Sequence, residues 1–132
     1  MKMLNFTRLA GGFGFLGVAL GAFGAHGLKD RLLASGQTEN WETATLYLFV
    51  HALALLLVAS QAKEANSRKA VWICAFWSVG VLIFCGTLYT IALTEFSKLG
   101  MITPIGGASF LGGWLILAWA GLIHRDPDSS NG

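Results

Sequence analysis

The sequence predicts an all-α protein, a membrane-embedded bundle of four transmembrane helices with a short interfacial helix between the first two spans. Hydrophobic residues make up 55% of the 132 residues and charged residues only 12%, about half the charged share of soluble domains. The mean hydropathy is +0.62. A spanning helix needs roughly 20 apolar residues, and the four candidate spans are residues 9–25, 41–62, 70–94 and 104–123. Because the spans fill most of the chain, we expect one integral membrane domain over residues 1–132.

The first span follows a short basic stretch that contains Lys2 and Arg8. Cleaved signal peptides open in the same way. Because three more spans follow, we expect this segment to be kept as the first transmembrane helix.

Glycines recur at spacings of three and four along the first span and so line one helix face. They are Gly14, Gly17, Gly21 and Gly24. Small residues let two helix backbones approach closely in lipid, where no hydrophobic effect drives helix association. The face therefore predicts tight helix packing, either against another helix of the same chain or across a homodimer.

The segment after the first span predicts a short helix that lies in the membrane interface. Leu28, Leu32 and Leu33 fall on one face of it, with charged residues opposed, which is typical of interfacial helices. Gly36 is expected to end it. His26, just before this helix, is expected to cap the first span or to meet lipid headgroups.

The short loop between the third and fourth spans ends at Thr103 and Pro104, two residues that favour the start of a helix. Thr103 can cap the fourth span, and Pro104 suits the first helical position because the missing N–H would have no partner there. Gly106, Gly107 and Gly113 then predict a second packing surface of small residues.

Lysine and arginine are unequally distributed between the two sides of the predicted bundle. Three of them flank one side, and six flank the other: Lys2, Arg8, Lys63, Arg68, Lys69 and Arg125. Cytoplasmic flanks carry the excess of basic residues. We therefore expect both termini to be cytoplasmic.

His51 is the ionisable side chain near the middle of the second span. Such residues are rare at membrane depth and usually face the bundle interior. Tyr47 lies one turn earlier on the same face, and Thr87 and Tyr89 are polar residues of the third span. Two interpretations remain open. These four residues form a proton-relay or ligand site, or a neutral His51 holds the helices in register.

Other chemistry finds little support in the sequence. Cys74 and Cys85 are roughly 16 Å apart along a helix, too far for a disulfide. His26 and His51 lie at different depths, which argues against haem bound within one chain, although His51 could pair with its copy in a dimer.

The sequence has no zinc-ligand spacing, no nucleophile elbow and no P-loop. We expect no catalytic residue, metal or cofactor, hence no enzyme, and a net charge of +2 argues against a nucleic-acid partner.

Several strings spread over nearly the whole chain resemble the YgdD family of small four-span membrane proteins. They are GAFGAHGL at residues 21–28, HALALL at 51–56, GTLY at 86–89, ITPIGG at 102–107 and GW at 113–114. The resemblance implies a four-helix fold in the bacterial plasma membrane. It also implies a role in membrane integrity, and no known reaction. Leu48 and Val50 are apolar here, where the family tends to be more polar, which weakens a proton relay at His51.

Two functions therefore remain as hypotheses. The first is a non-enzymatic inner-membrane protein that supports membrane integrity or a partner complex. The second is an oligomeric small transporter or channel subunit with His51 and Tyr47 lining a path. Membrane lipid is an expected partner in both, and a homo-oligomer or a second membrane protein would be another.

Overall fold

The computed structural model describes residues 2–62 and 68–120, and these residues are almost entirely helical, with no strand among them. The elements are α1 (Lys2–Ala25), α2 (Lys29–Ser35), α3 (Thr38–Gln61), α4 (Arg68–Gly80), a π-helical turn (Val81–Cys85), α5 (Gly86–Thr94), a 3₁₀ helix (Ser97–Met101) and α6 (Thr103–Ala120). The predicted all-α class is confirmed, together with the short helix between the first two spans.

Four helical stretches are long and apolar enough to cross a membrane: α1, α3, the stretch from Arg68 to Thr94, and the stretch from Ser97 to Ala120. α1 begins well before residue 9, because a helix can continue into the headgroup region, where charged side chains are tolerated. A short basic link is predicted between the second and third spans, from Lys63 to Lys69; its residues 63–67 lie outside the described residues, and Arg68 and Lys69 begin α4. The end of the fourth span at residues 121–123 and Arg125 also lie outside the described residues.

The spans form two pairs of sequence neighbours. α1 packs chiefly along α3, and α6 packs chiefly along α4 and the π-helical turn, while α3 also contacts α4 and α5. Within the most apolar window of each span, 39% and 44% of the residues are buried in the second and third spans but only 17% in the first and fourth. The second and third spans are therefore the centre of the bundle, and the other two give most of their surface to lipid.

The centre of the bundle is built from small and apolar side chains. α3 buries Ala44, Leu48 and Leu55 at helical spacing, and these belong to one cluster with Ile73 and Trp77 of α4. Close packing of this kind supplies the dispersion contacts that hold helices together in lipid. The two cysteines are both buried and free, as their spacing predicts.

α2 is fixed in place at both its ends. Gly36 has a positive φ of 68°. Its backbone N–H donates to the Leu33 carbonyl, and the backbone N–H of Gln37 donates to the Leu32 carbonyl. These two bonds end the helix in a Schellman motif. Arg31 Nη2 donates to the Leu93 carbonyl at 2.6 Å. α2 is thereby tied to the end of α5.

The π-helical turn packs closely against α6. A Cβ placed on Gly106 would fall against the backbone nitrogen of Phe84, within the π turn, and one on Gly80 would meet the Phe110 ring. Glycine at both positions allows the contact, because any side chain would force the two helices apart. π turns often mark functional positions, and here the turn borders the candidate site.

Candidate functional site

His51 lies in the interior of the bundle, on α3, with only 3% of its surface exposed. Its Nδ1 is 2.8 Å from the Tyr47 carbonyl oxygen, one turn back on the same helix. Its Nε2 accepts a hydrogen bond of 3.1 Å from the indole N–H of Trp114 on α6. The side chain therefore joins the second span to the fourth.

These two hydrogen bonds define the state of the imidazole. A tryptophan N–H can only donate and a carbonyl oxygen can only accept. Nε2 must therefore carry the lone pair, and Nδ1 must carry the proton. His51 is neutral in this arrangement, and both its nitrogens are occupied, so neither is left to pass a proton to a further group.

Aromatic rings enclose the imidazole on several sides. The Phe110 ring stacks on it with a centroid distance of 3.6 Å and an angle of 13°. Trp77 and Trp114 meet it edge-on at 6.1 and 6.0 Å, and Tyr47 stacks at 6.0 Å. We call His51 and these four rings the aromatic cluster. Such ring pairs favour offset-stacked or edge-on geometry, so the cluster fixes the orientation of His51.

A groove of about 530 Å³ runs beside the aromatic cluster. Tyr47, His51 and Trp114 line it together with Phe84 and the first turns of α6. Tyr47 and Trp114 are 39% and 40% exposed, so the groove opens on the lipid-facing side of the bundle. Its lining is mostly aromatic, which suits an apolar chain better than a polar substrate.

The structure does not bring Tyr89 and Thr87 to His51. The Tyr89 hydroxyl is 2.8 Å from Thr45 Oγ1, and that threonine hydroxyl donates to the Trp41 carbonyl at 2.9 Å. The Tyr89 O–H must therefore be the donor to Thr45. Thr87 is instead 2.8 Å from the Thr103 hydroxyl. Of the four predicted site residues, only Tyr47 and His51 lie together, and the other two link different pairs of helices.

The predicted packing glycines of α1 mostly face α3. A Cβ on Gly17 would meet Phe49, one on Gly21 would meet Thr45 at 3.4 Å, and one on Gly24 would meet the Trp41 indole. Gly14 has open space around it. Three of the four thus serve a contact within the chain.

The glycines of α6 also face the third span, to different degrees. A Cβ on Gly113 would lie 2.5 Å from Trp77 Nε1, whereas one on Gly107 would have only ordinary contact with Phe84, at 3.9 Å. His26 is exposed, and its backbone N–H donates to the Ala22 carbonyl at the end of α1. Within the described parts of the chain, no group of three or more His, Cys, Asp or Glu residues could hold a metal ion.

Most of the chain is similar to a family of membrane proteins. Residues 20–107 match the family model described as a protein of unknown function, DUF423. The chain belongs to the DUF423 family. It is 44% identical to a UPF0382 membrane protein of Staphylococcus epidermidis over 81% of this chain and 86% of the relative. It is 41% identical to a UPF0382 membrane protein of Haemophilus influenzae over 89% of this chain and 91% of the relative.

The resemblance to the YgdD family is confirmed by a third relative of this DUF423 protein. The UPF0382 inner membrane protein YgdD of Escherichia coli is 38% identical over 87% of this chain and 85% of the relative. No solved structure matches the chain. This member of DUF423 is thus a multi-pass membrane protein, in a family that carries no enzyme name.

The partners of His51 on α6, Phe110 and Trp114, were not predicted from the sequence of this DUF423 protein. Phe110 and Trp114 are four residues apart on α6, so a helix places them on one face, and that spacing was the available signal. Ser109 was also missed, and its hydroxyl donates to the Phe76 carbonyl at 2.6 Å. Both Phe110 and Trp114 come after residue 107, where the DUF423 match ends.

Proposed function

We propose that the protein is a non-enzymatic component of the bacterial inner membrane that supports membrane integrity, alone or in a partner complex. One observation carries this proposal. Several polar side chains of the spans join one helix to another. His51 bonds to Trp114, Tyr89 bonds to Thr45, and Ser109 bonds to the third span.

This use of polar groups is what a structural role needs. Hydrogen bonds between membrane helices contribute on the order of 0.6–2 kcal/mol each, so several of them keep the helices in one arrangement. Meanwhile the first and fourth spans present large apolar side chains to lipid, including Phe15, Leu115 and Trp119. A rigid body with an apolar surface can order the lipids or proteins around it.

The transporter hypothesis requires His51 and Tyr47 to line a path in an oligomer. The nitrogens of His51 are already paired, and the groove beside it is mostly aromatic. These features favour a structural role for His51 over a conducting one. We therefore keep integrity of the membrane as the proposed function.

The proposed placement has both termini in the cytoplasm. Lys2, Arg8, Arg68 and Lys69 flank one side of the bundle, and Lys29, Arg31 and Lys98 flank the other. The larger basic group is expected inside. The inner-membrane name of the Escherichia coli relative supports the same compartment.

The test compares a bacterial strain that lacks the protein with the same strain carrying the wild-type chain or a variant. We expect the deletion to raise uptake of a membrane-impermeant DNA dye, and the wild-type chain to restore the barrier. Phe110→Ala, which removes the ring stacked on His51, should restore it less well than Leu111→Ala, a change at a 65% exposed neighbour.

Two outcomes would contradict the proposal. Dye uptake that is unchanged by the deletion would contradict a role in membrane integrity. A proton flux across liposomes that contain the purified protein, above that of protein-free liposomes and lost in His51→Leu, would favour the transporter instead.

A further inference from the structure

A second cavity opens between α1, α2 and α3, at the α2 end of the bundle. Its volume is about 560 Å³, within the ~300–1,000 Å³ range of small-molecule sites. Gly21 and Gly24 contribute an α1 wall without side chains, and α2 contributes Lys29 and Leu33. α3 closes the cavity with Thr38, Trp41 and Glu42.

The walls of this cavity are held in place by contacts of its lining residues with the rest of the bundle. The Trp41 indole N–H donates to the Leu20 carbonyl at 2.9 Å, which locks α3 against α1. Leu32, only 2% exposed, packs with Trp41 and Ala92 beneath α2. Because α2 is also tied to Leu93 through Arg31, the cavity is preformed and a ligand need not order it.

Three polar side chains that line the cavity have no partner within the described chain. Lys29 and Glu42 both line it, yet neither has an ion-pair or hydrogen-bond partner among the described residues. The Thr38 hydroxyl oxygen is buried and also has no partner there. A cation and an anion that share a cavity without pairing are complementary to a ligand that carries both charges.

We propose that this cavity binds the headgroup of a phospholipid with a primary amine. Lys29 faces the phosphate, and Glu42 accepts hydrogen bonds from the ammonium group. An ammonium group has N–H donors for a carboxylate, whereas a quaternary choline has none, so the site distinguishes the two headgroups.

The position of the cavity points to a lipid as the source of this chemistry. It lies at the end of the spans beside α2, a helix of the interface, where headgroups are found. Leu33, one of its lining residues, is 60% exposed, and exposed α1 residues continue from its edge into the lipid-facing surface. An acyl chain can therefore leave the cavity along α1 while the headgroup stays between Lys29 and Glu42.

Native mass spectrometry in mild detergent tests the proposal, with ethanolamine, choline and glycerol phospholipids of identical acyl chains added in turn. The wild-type chain should retain the ethanolamine lipid best. Glu42→Gln should lower its retention about tenfold, the loss expected for one charge-assisted hydrogen bond, and should abolish the preference over choline. Lys29→Gln should lower the retention of all three lipids.

Matched controls separate this site from general effects of charge. Glu39→Gln and Lys98→Gln remove charges on the same side of the bundle, outside the cavity, and should leave retention unchanged. Equal retention of the three lipids, or equal loss in the control variants, would overturn the proposal. Binding of soluble phosphoethanolamine without binding of the lipid would overturn the membrane source. Because the experiment measures bound lipid, the lipid-binding proposal can fail while the proposed role in membrane integrity stands.

Discussion

At the scale of single residues, the hydrogen bond between His51 and Trp114 is the contact whose energy can be isolated most directly. His51→Leu and Trp114→Phe each remove one partner, and the double variant completes a thermodynamic cycle. We expect a coupling free energy of about 0.6–2 kcal/mol, the usual size for hydrogen bonds between membrane helices. Thermal unfolding in detergent measures it, with the lipid-facing Leu53→Ala (62% exposed) as control. Additive effects of the two variants would contradict a bond between them.

Glycine variants test how tightly α6 approaches the π-helical turn. In Gly106→Ala the new methyl group would meet the backbone of Phe84, and such overpacking costs about 1–3 kcal/mol. Gly14→Ala places a methyl group in open space and should be neutral or stabilising, because alanine favours helix over glycine. Melting temperatures of the two proteins in one detergent compare them. Equal melting temperatures would mean that the helices are not in close contact at Gly106.

Tyr47 and His51 could be paired from the sequence because a four-residue spacing on one helix places side chains on one face. Trp114 could not be assigned as the donor to Nε2, because that contact depends on how α6 is rotated and how closely it crosses α3. No periodicity within one segment contains this information. The same limit explains why Tyr89 was grouped with His51 although it bonds to Thr45.

At the scale of elements, the end of α2 depends on one backbone conformation. Gly36 has φ 68°, and a Cβ added to it would lie in open space, so Gly36→Ala should cost roughly 1–2 kcal/mol through backbone strain alone. Hydrogen exchange of residues 29–37 should become faster. Gly100→Ala, also in open space but without a positive φ, is the matched control. Unchanged exchange in Gly36→Ala would contradict the Schellman motif as the feature that holds α2.

The length and apolarity of the spans were enough to predict their number, because the thickness of the hydrocarbon core fixes both. The π-helical turn was not predictable, since the residues from Val81 to Cys85 are as apolar as their neighbours. A wider turn adds about one residue, and so rotates the later part of the span by roughly 100° relative to a regular helix. Thr87 and Tyr89 lie after the turn, so their faces could not be deduced from α-helical spacing.

At the scale of the whole molecule, the proposed orientation can be tested by labelling single cysteines. Cys74→Ala and Cys85→Ala remove the two native thiols, which are buried. In this background Lys98→Cys, on the predicted outer side, should react with a membrane-impermeant maleimide in cells whose outer membrane and cell wall have been removed and whose inner membrane is intact. Lys2→Cys should react only after the membrane is permeabilised. Mass shifts on gels report both, and the opposite pattern would reverse the orientation.

The pairing of α1 with α3 and of α4 with α6 also bears on how the protein is made. Each outer span finds its main partner in the span beside it along the chain. Contacts that are local in sequence form quickly. The first helical hairpin can therefore associate inside the membrane while the ribosome is still producing the second, and the central interface closes last. Assembly of this protein would then be a meeting of two half-molecules, not the collapse of four separate helices.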